Sequence, residues 1–400
     1  MLTRGRRTIV YRLSSIVFTC LLLSACANTS RQSLPTPAVS AVQSAGGAAG
    51  AGFARVTAPR KFAFPQDHGP HQEYAIEWWY YTGNLDAAES RHFGYQLTFF
   101  RIGLAPKPAE RASDFATSNI YMAHLALTDV ANQKFYAFER FSRGAAGLAG
   151  AEVQPPSRGL STGFRIWLED WSAEGAGSQG LPMRLQAAQD DVAIDLALSG
   201  GKPVVIQGDG GVSQTGTGPG KAYYYYSLTH MPTTGAVTSG GQRYDVRGLS
   251  WMDHEFGTDA LDADAAGWDW FALQLDDGRE LMYAQLRAKD GRSGALNMLI
   301  ETDGSTRALA PAELTLDALG EWQSPRSGGR YPSAWRLRIP SLALDLKLTP
   351  YLADQELSLT TVYWEGAVKI AGTSGGQPLG GSGYVELTGY GERQGELQVR

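Results

Sequence analysis

Hydrophobic and polar residues alternate in short runs from about residue 60 onward, and this alternation predicts β-strands. Runs such as RHFGYQLTFFRIGL (91–104), NIYMAHLALTDV (119–130) and GFRIWLEDW (163–171) have the length of a strand and are separated by turns. Asp277-Gly278 and Asp303-Gly304 predict two hairpin turns, because glycine tolerates the positive φ angles of tight turns. Segments with helical periodicity are few and short. The pattern therefore predicts an all-β fold.

Length and composition suggest that this all-β chain has two domains. The 400 residues exceed the size of one ordinary hydrophobic core. The 48 glycines and the 10 Trp, 18 Tyr and 14 Phe favour strands and turns over helices. We expect two antiparallel β-barrels or sandwiches, one over residues 58–245 and one over residues 246–400.

The first 25 residues have the features of an export signal. Arginines precede the apolar run IVFTCLLL (16–23), which is too short for a stable membrane span. The run leads into LSAC, which resembles a lipoprotein cleavage site and implies a lipid on Cys26, while Ala27 is typical of sorting to the outer membrane. We therefore expect an exported protein that is lipid-anchored at the outer membrane and faces the periplasm. Residues 26–57, rich in Ala, Gly, Ser and Pro, are expected to form a flexible tether.

The cysteine count argues against disulfide bonds, and the net charge argues against nucleic-acid or anionic-membrane partners. Cys20 and Cys26 are the only cysteines, so the predicted mature chain cannot form an internal disulfide. Residues 1–25 contain four arginines and no acidic residue, and their removal changes the formal net charge from −5 to about −9. An acidic chain does not attract nucleic acid or an anionic membrane surface. We expect no nucleic-acid partner, and contact with the membrane through the lipid anchor only.

Two motifs that suggest nucleotide binding or serine hydrolysis fail in detail. QGDGGVSQTGTGPGKA (207–222) has Thr215 and Ala222 where a phosphate-binding loop requires glycine and Ser or Thr. GTSGG (372–376) matches a hydrolase serine motif, but no helix follows it to form the strained turn that such a serine requires. We expect no cofactor.

The segment GLSWMDHEFG (248–257) concentrates ionisable residues beside a tryptophan. On a strand, Trp251, Asp253 and Glu255 share one face, while His254 lies on the other. An indole keeps water from a neighbouring carboxyl group and raises its pKa, so one acid can hold a proton near neutral pH while its companion orients water. We therefore take Asp253, His254 and Glu255 as candidate catalytic residues.

Three other segments also combine a carboxylate with tryptophan. They are DHGPHQEYAIEWWYYTGNL (67–85), GWDWF (267–271) and VYWEGAV (362–368). The candidate ligand-binding residues from these segments and the first are Glu77, Trp78, Trp79, Tyr81, Trp251, Trp270, Tyr363 and Trp364. Tryptophan-rich strands also form ordinary hydrophobic cores, so a purely structural role stays open for each segment.

A metal site is a further alternative for the histidines. His68, His71 and His254 have acidic neighbours, but their spacing lacks a clean second pair of ligands. We predict no metal.

Several motifs together resemble those of the secreted AttH-like family, which is related to carotenoid hydratases. They include FPQDHGPHQEYAIEWWYYTGNL, GLSWMDHEFG and VYWEGAVKIAGTSGG, and the resemblance extends from about residue 62 to 391. It implies two lipocalin-like antiparallel β-barrel domains. The related hydratases add water to a terminal double bond of an acyclic carotene without a cofactor, and a fungal branch catalyses pericyclic cyclisations. Some bacterial members accompany ABC transporters.

The resemblance also implies roles for individual residues. In the hydratases an aspartate two positions after an aromatic residue protonates the alkene, and Trp251-x-Asp253 fits this pattern with Trp in place of Tyr. His230 matches an assisting histidine. Three functions follow as hypotheses: an enzyme using acid–base chemistry, either hydration or hydrolysis, on an isoprenoid, lipid or ester; a carrier of a hydrophobic molecule that works with an ABC transporter; and a metal-binding protein.

Overall fold

A computed structural model describes residues 52–106, 113–154, 163–177, 179–258, 261–262, 264–291 and 293–391. The predicted signal peptide, the predicted lipidation at Cys26 and nearly all of the predicted tether lie outside these residues. The described part of the chain is almost entirely β-structure, as the alternating pattern predicts. Its short 3₁₀ segments are Gln66–His68, Ala88–Ser90, Pro311–Glu313 and Pro340–Leu342.

The first sheet is antiparallel and forms a nearly closed barrel. Its strands pair in the order β4-β3-β2-β1-β13-β12-β9-β8-β7-β6-β5, with β10 and β11 added to β12. The strands are β1 (Ile76–Ala87), β2 (His92–Gly103), β3 (Asn119–Asp129), β4 (Lys134–Arg143), β5 (Ala149–Gln154), β6 (Gly163–Leu168), β7 (Trp171–Ala176), β8 (Met183–Gln189), β9 (Val192–Leu198), β10 (Val205–Ile206), β11 (Val212–Gln214), β12 (Ala222–Ser239) and β13 (Gln242–Gly257).

The second sheet is a half-barrel in which the strands follow the order β17-β16-β15-β14-β25-β24-β22-β21-β18, with β23 added to β24. A separate hairpin pairs β19 (Glu321–Gln323) with β20 (Arg330–Pro332). The strands of the half-barrel are β14 (Ala265–Leu275), β15 (Glu280–Ala288), β16 (Ser293–Ile300), β17 (Thr306–Ala308), β18 (Thr315–Ala318), β21 (Trp335–Ile339), β22 (Leu344–Pro350), β23 (Glu356–Ser358), β24 (Val362–Ser374) and β25 (Gln377–Thr388). The two sheets correspond to the two lipocalin-like barrels of the predicted fold class.

The predicted hairpin turns occur where the sequence placed them. Gly278 lies between β14 and β15 with φ 83°, and Gly304 lies between β16 and β17 with φ 84°. The predicted division at residues 245 and 246 lies inside β13, which pairs along its length with strands of the first sheet. The chain passes from the first sheet to the second between Gly257 and Ala265.

Each sheet encloses its own hydrophobic core, and a third apolar cluster lies where the sheets meet. Strand β1 shows how alternation produces this arrangement. Trp79 and Tyr81 point into the first core, whereas Trp78 and Tyr80 point toward the second sheet. Trp270 on β14 approaches Tyr80 from the other side, with ring centroids 5.2 Å apart. The residues that do not face a barrel core are therefore free to build a site between the sheets.

No helix within the described residues is long and apolar enough to cross a membrane.

Candidate active site

A cavity of about 1110 Å³ lies between the two sheets. Its volume is slightly above the usual range of about 300–1,000 Å³ for small-molecule sites. Strand faces that point away from the two barrel cores form much of the walls, connecting segments such as 215–217 and 261–262 form the rest, and most of the lining surface is apolar. The cavity is large enough to hold a ligand of more than ordinary drug size.

Two rows of side chains cross the wall formed by the first sheet. Strands β12, β13, β1, β2 and β3 are consecutive neighbours, and their register sets residues directly opposite one another. The first row is polar and consists of Ser227, Asp253, Tyr80, Thr98 and His124. The second row is mostly aromatic and consists of Tyr225, Glu255, Trp78, Phe100 and Met122. All of these except Ser227 border the cavity.

The wall formed by the second sheet contributes Trp270, Glu386 and Glu365, which lie opposite one another on β14, β25 and β24. Two carboxylates at directly opposed positions repel each other. The geometry of Glu386 and Glu365 therefore favours a state in which at least one carries a proton.

Asp253 is buried, with 3% of its surface exposed, and three side chains donate hydrogen bonds to it. Trp251 Nε1 and Ser227 Oγ donate to Oδ1 at 2.7 and 2.5 Å, and Tyr225 Oη donates to Oδ2 at 2.9 Å. Trp270 Nε1 in turn donates to Tyr225 Oη at 3.1 Å. Each carboxyl oxygen has about two hydrogen-bonding positions. Two donors occupy those of Oδ1 and only one occupies Oδ2, so a proton on Asp253 lies on Oδ2.

Burial raises the pKa of Asp253 to about 7, although the hydrogen bonds from Ser227, Trp251 and Tyr225 act in the opposite direction. The predicted shelter of this acid beside the Trp251 indole is thus present in the structure. An acid with this pKa can donate a proton near neutral pH and recover it afterwards.

The three buried glutamates that border the cavity, Glu255, Glu365 and Glu386, are also held in the neutral form. Burial, assisted by the negative potential of Asp253, raises the pKa of Glu386 to about 8. Burial and neighbouring acids raise the pKa values of Glu255 and Glu365 well above the usual range. Each of these acids accepts a hydrogen bond from an aromatic side chain: Glu255 from Trp78, Glu386 from Trp268, and Glu365 from Tyr80 at 2.8 Å.

Glu77 lies on the other side of β1 from the cavity, inside a buried ionic network. Arg101 Nε donates to Glu77 Oε2 at 2.8 Å, while His71 Nδ1 and His254 Nε2 lie 2.8 and 2.9 Å from Oε1. Burial alone would raise the pKa of Glu77, but the Arg101 charge and the two histidine hydrogen bonds hold it well below the usual range. Burial lowers the pKa of His254. The network therefore contains an anionic Glu77 and a neutral His254.

The ligand atoms of His71, Glu77 and His254 lie within 4.8 Å of one another, a spacing compatible with a metal ion. A divalent cation there would have to share Glu77 with the Arg101 guanidinium, which also binds the carbonyl oxygens of His71 and Tyr74. The donor set is thus already organised around an arginine, which disfavours a second cation.

The strand alternation separates several predicted site residues from Asp253. Trp78, Trp270, Tyr363, Asp253 and Glu255 border the cavity. Trp79, Tyr81 and His254 face the interior of the first barrel, as does Glu77, because they occupy the opposite face of β1 and β13. His254 therefore cannot orient water beside Asp253, and Glu77, Trp79 and Tyr81 cannot contact a ligand in the cavity.

Three further candidates occupy distinct positions. Trp251 supports Asp253 from the cluster between the sheets and does not border the cavity. Trp364 belongs to the core of the second barrel, since it alternates with Tyr363 on β24. His230 lies at a bulge in β12 and bonds to Glu280 at 2.8 Å, away from the cavity lining, so it does not assist Asp253 directly.

Sequence reasoning did not select Glu386, Glu365 or His124. Glu365 lies in VYWEGAV, one of the segments that combine a carboxylate with tryptophan, and Glu386 lies in the strand run GYVELTGYG. Both carboxylates occur at apolar-rich strand positions, which is the signal that identifies them. His124 lies in a hydrophobic strand run without a nearby acid in sequence, and only strand pairing brings Glu139 to it.

Comparisons with known proteins agree with this architecture. The family model described as AttH-like matches residues 55–390. An AttH-type protein from Nitrosomonas europaea is 34% identical and superposes with a TM-score of 0.71, covering 84% of this chain and 100% of that one. No curated protein matches the chain in sequence.

Two more distant structures share the fold. Kievitone hydratase from Nectria haematococca is 16% identical with a TM-score of 0.61, covering 84% of this chain and 96% of its own. CghA in complex with Sch210972 is 12% identical with a TM-score of 0.54, covering 87% of this chain and 98% of its own. The match of the family model to most of the chain, together with the 34% identical structure, shows that the chain belongs to the AttH-like family.

Proposed function

We propose that the protein is a cofactor-independent enzyme that adds water across a carbon–carbon double bond of a hydrophobic small molecule. The observation that carries this proposal is Asp253, a buried acid with a pKa near 7 on the wall of an aromatic cavity. The shared fold with kievitone hydratase is consistent with such a reaction.

The reaction begins with proton transfer from Asp253 to one alkene carbon. The π electrons form the new C–H bond, and the positive charge develops on the more substituted carbon. Trp78, Trp270 and Tyr80 line the cavity, and the face of an aromatic ring attracts such a charge. The mostly apolar lining disfavours bulk water around the reacting carbon atoms, which limits side reactions.

Water then forms the C–O bond, and the proton that it releases returns to the Asp253 carboxylate. Glu255 lies two residues along β13 on the same face, and its carboxyl group can orient the attacking water. Atoms and charge balance without an external acid, base or cofactor, because Asp253 ends the cycle protonated again.

The test is conversion in ¹⁸O-labelled water. The full chain is incubated with linear isoprenoid alkenes and with long-chain esters, and products are analysed by mass spectrometry. Addition of one labelled water to an alkene supports hydration, and Asp253→Asn should reduce the rate at least about a hundredfold. Asp269→Asn is the matched control, because Asp269 is also a buried aspartate but lies on β14 of the second sheet, binds Arg287 and Tyr390, and does not itself border the cavity. Equal rates for the Asp253→Asn variant and the parent would exclude Asp253 as the donor, and ester cleavage alone would favour hydrolysis.

A carrier function is the second candidate, because a cavity of about 1110 Å³ with apolar walls can store a ligand without reaction. Native mass spectrometry of protein purified from a periplasm would show a co-purifying hydrophobic molecule if the protein is a carrier. In that case the ligand would be chemically unchanged after release, and the Asp253→Asn variant would release the same molecule as the parent.

The cellular setting belongs to the same proposal. Cys26 would carry a lipid and hold the protein at the outer membrane, where an ABC transporter is a candidate partner. Metabolic labelling with an alkyne fatty acid, with Cys26→Ser as the control, tests the anchor. Label that is independent of Cys26 would contradict it.

A further inference from the structure

One oxygen of Glu365 has no partner within the described residues. Glu365 is fully buried and borders the cavity, and its Oε2 accepts a hydrogen bond from Tyr80 at 2.8 Å, but its Oε1 is unpaired. Leaving a buried polar atom unpaired destabilises a folded protein. Native proteins rarely keep one without a bound partner. The Oε1 atom therefore points to a polar group of a ligand in the cavity.

The protonation of Glu365 decides what kind of group it can bind. Glu365 on β24 lies directly opposite Glu386 on the neighbouring strand β25, and this closeness disfavours a negative charge on both. Burial and Glu386 together raise the pKa of Glu365 well above the usual range, so the group is neutral. Since Oε2 accepts from Tyr80, the proton belongs on Oε1. Glu365 thus presents a hydrogen-bond donor to the cavity.

Tyr363 lies two residues before Glu365 on the same face of β24 and presents the complementary acceptor. Its hydroxyl lies 2.6 Å from His124 Nδ1, and His124 Nε2 lies 3.1 Å from Glu139 Oε2. Although burial opposes it, the hydrogen bonds from His124 and Thr360 hold the pKa of Glu139 below its usual range. A carboxylate only accepts, so His124 donates from Nε2, and in the neutral imidazole Nδ1 is then the acceptor. Tyr363 then donates to His124, which leaves its oxygen as an acceptor.

We propose that Glu365 and Tyr363 form a subsite for the hydroxyl group of an otherwise hydrophobic ligand, such as a long-chain alcohol. A hydroxyl group both accepts from Glu365 and donates to the Tyr363 oxygen, whereas an ether can only accept. This inference rests on the proposed function, because it assigns a second functional group to the same ligand.

The register also shows where the two subsite residues lie relative to Asp253. Asp253 and His124 are three strands apart in the polar row, and strands are spaced about 4.8 Å apart, which places their backbones about 14 Å from each other. Tyr363 contacts His124 at one end of this row, while Asp253 lies near the other. Glu365, in contrast, bonds to Tyr80, which lies directly opposite Asp253, so the two subsite residues extend from the neighbourhood of Asp253 toward His124.

The test compares the binding of geranylgeraniol and its methyl ether to the full chain by isothermal titration calorimetry. The two probes share one hydrocarbon chain and differ in the donor that Tyr363 requires. We expect the alcohol to bind at least about tenfold more tightly, because the ether leaves a buried acceptor unpaired. Equal affinities, or no measurable binding of the alcohol, would overturn the subsite. Tighter binding of geranylgeranylamine than of the alcohol would overturn it in favour of a cation site.

Variants identify the groups responsible. Glu365→Leu removes the donor and should reduce the preference for the alcohol to less than about threefold, while Glu365→Gln keeps a donor and should preserve it. Tyr363→Phe should also weaken the preference. Tyr351→Phe is the matched control, since Tyr351 stacks on His92 outside the cavity. A full preference in the Glu365→Leu variant, with a melting temperature equal to that of the parent, would refute the assignment.

The binding measurement is independent of turnover, so the two proposals can fail separately. A preference for the alcohol without any water addition would support the subsite and contradict the proposed hydration. Water addition that depends on Asp253, together with equal binding of alcohol and ether, would support hydration and contradict the subsite.

Discussion

Replacing Trp251 by Phe removes the indole N–H that donates to Asp253 Oδ1 at 2.7 Å and keeps an aromatic ring at that position. The hydrogen bond favours the charged form of Asp253, so its loss should raise the pKa further above the value of about 7. A hydrogen bond to a charged group contributes about 1.5–3 kcal/mol. If most of this contribution favours the carboxylate, Asp253 should bind its proton about tenfold to a hundredfold more tightly in the variant.

Infrared difference spectroscopy measures this change directly. The carbonyl band of a protonated carboxylic acid is followed against pH, and the Asp253→Asn variant identifies the part of the signal that belongs to Asp253. Trp335→Phe, in the core of the second barrel, controls for the loss of an indole elsewhere. A titration midpoint of the Trp251→Phe variant that is unchanged, or moves to lower pH, would refute the electrostatic role of the indole.

Two further predictions concern stability. Arg101→Leu leaves the buried Glu77 without its main counter-charge and should lower the free energy of unfolding by about 3–5 kcal/mol in urea denaturation. Arg184→Leu is the control, because it breaks an exposed pair with Asp195 and should lower the free energy of unfolding by less than about 1 kcal/mol. Equal losses in the two variants would contradict the stabilising role of the Glu77 network. Glu386→Gln should flatten the pH dependence of stability. The folded chain retains a proton on Glu386 up to about pH 8 that the unfolded chain releases near pH 4.5, so the free energy of unfolding of the parent falls as pH rises between these values. An equally steep fall in the variant would show that Glu386 is not the group responsible.

Local patterns in the sequence were sufficient for the fold class and for one wall of the site. Alternation along a strand gave the common face of Trp251, Asp253 and Glu255, and it separated His254 from them. The same alternation grouped Glu77 with Trp79 and Tyr81. These relations depend only on residues two apart, which is why the sequence reveals them.

The sequence pattern could not reveal which face of each strand meets the second sheet. That choice depends on pairings such as Tyr80 with Asp253 and Glu365 with Glu386, whose members are far apart in the chain. Glu77 and Trp78 are neighbours in sequence, yet one belongs to an ionic network inside the first barrel and the other to the cavity wall. Burial and long-range register, rather than residue type, decided their roles.

The central claim is that Asp253 acts as a proton donor, and the pH dependence of kcat/KM for water addition tests it most directly. This ratio reports the ionisation of the free protein. With a pKa of about 7 for Asp253, the account predicts a plateau at lower pH and a fall of about tenfold per pH unit above it, absent from the residual activity of the Asp253→Asn variant. A rate that rises through pH 7 would contradict the account, because the carboxylate would then act as a base.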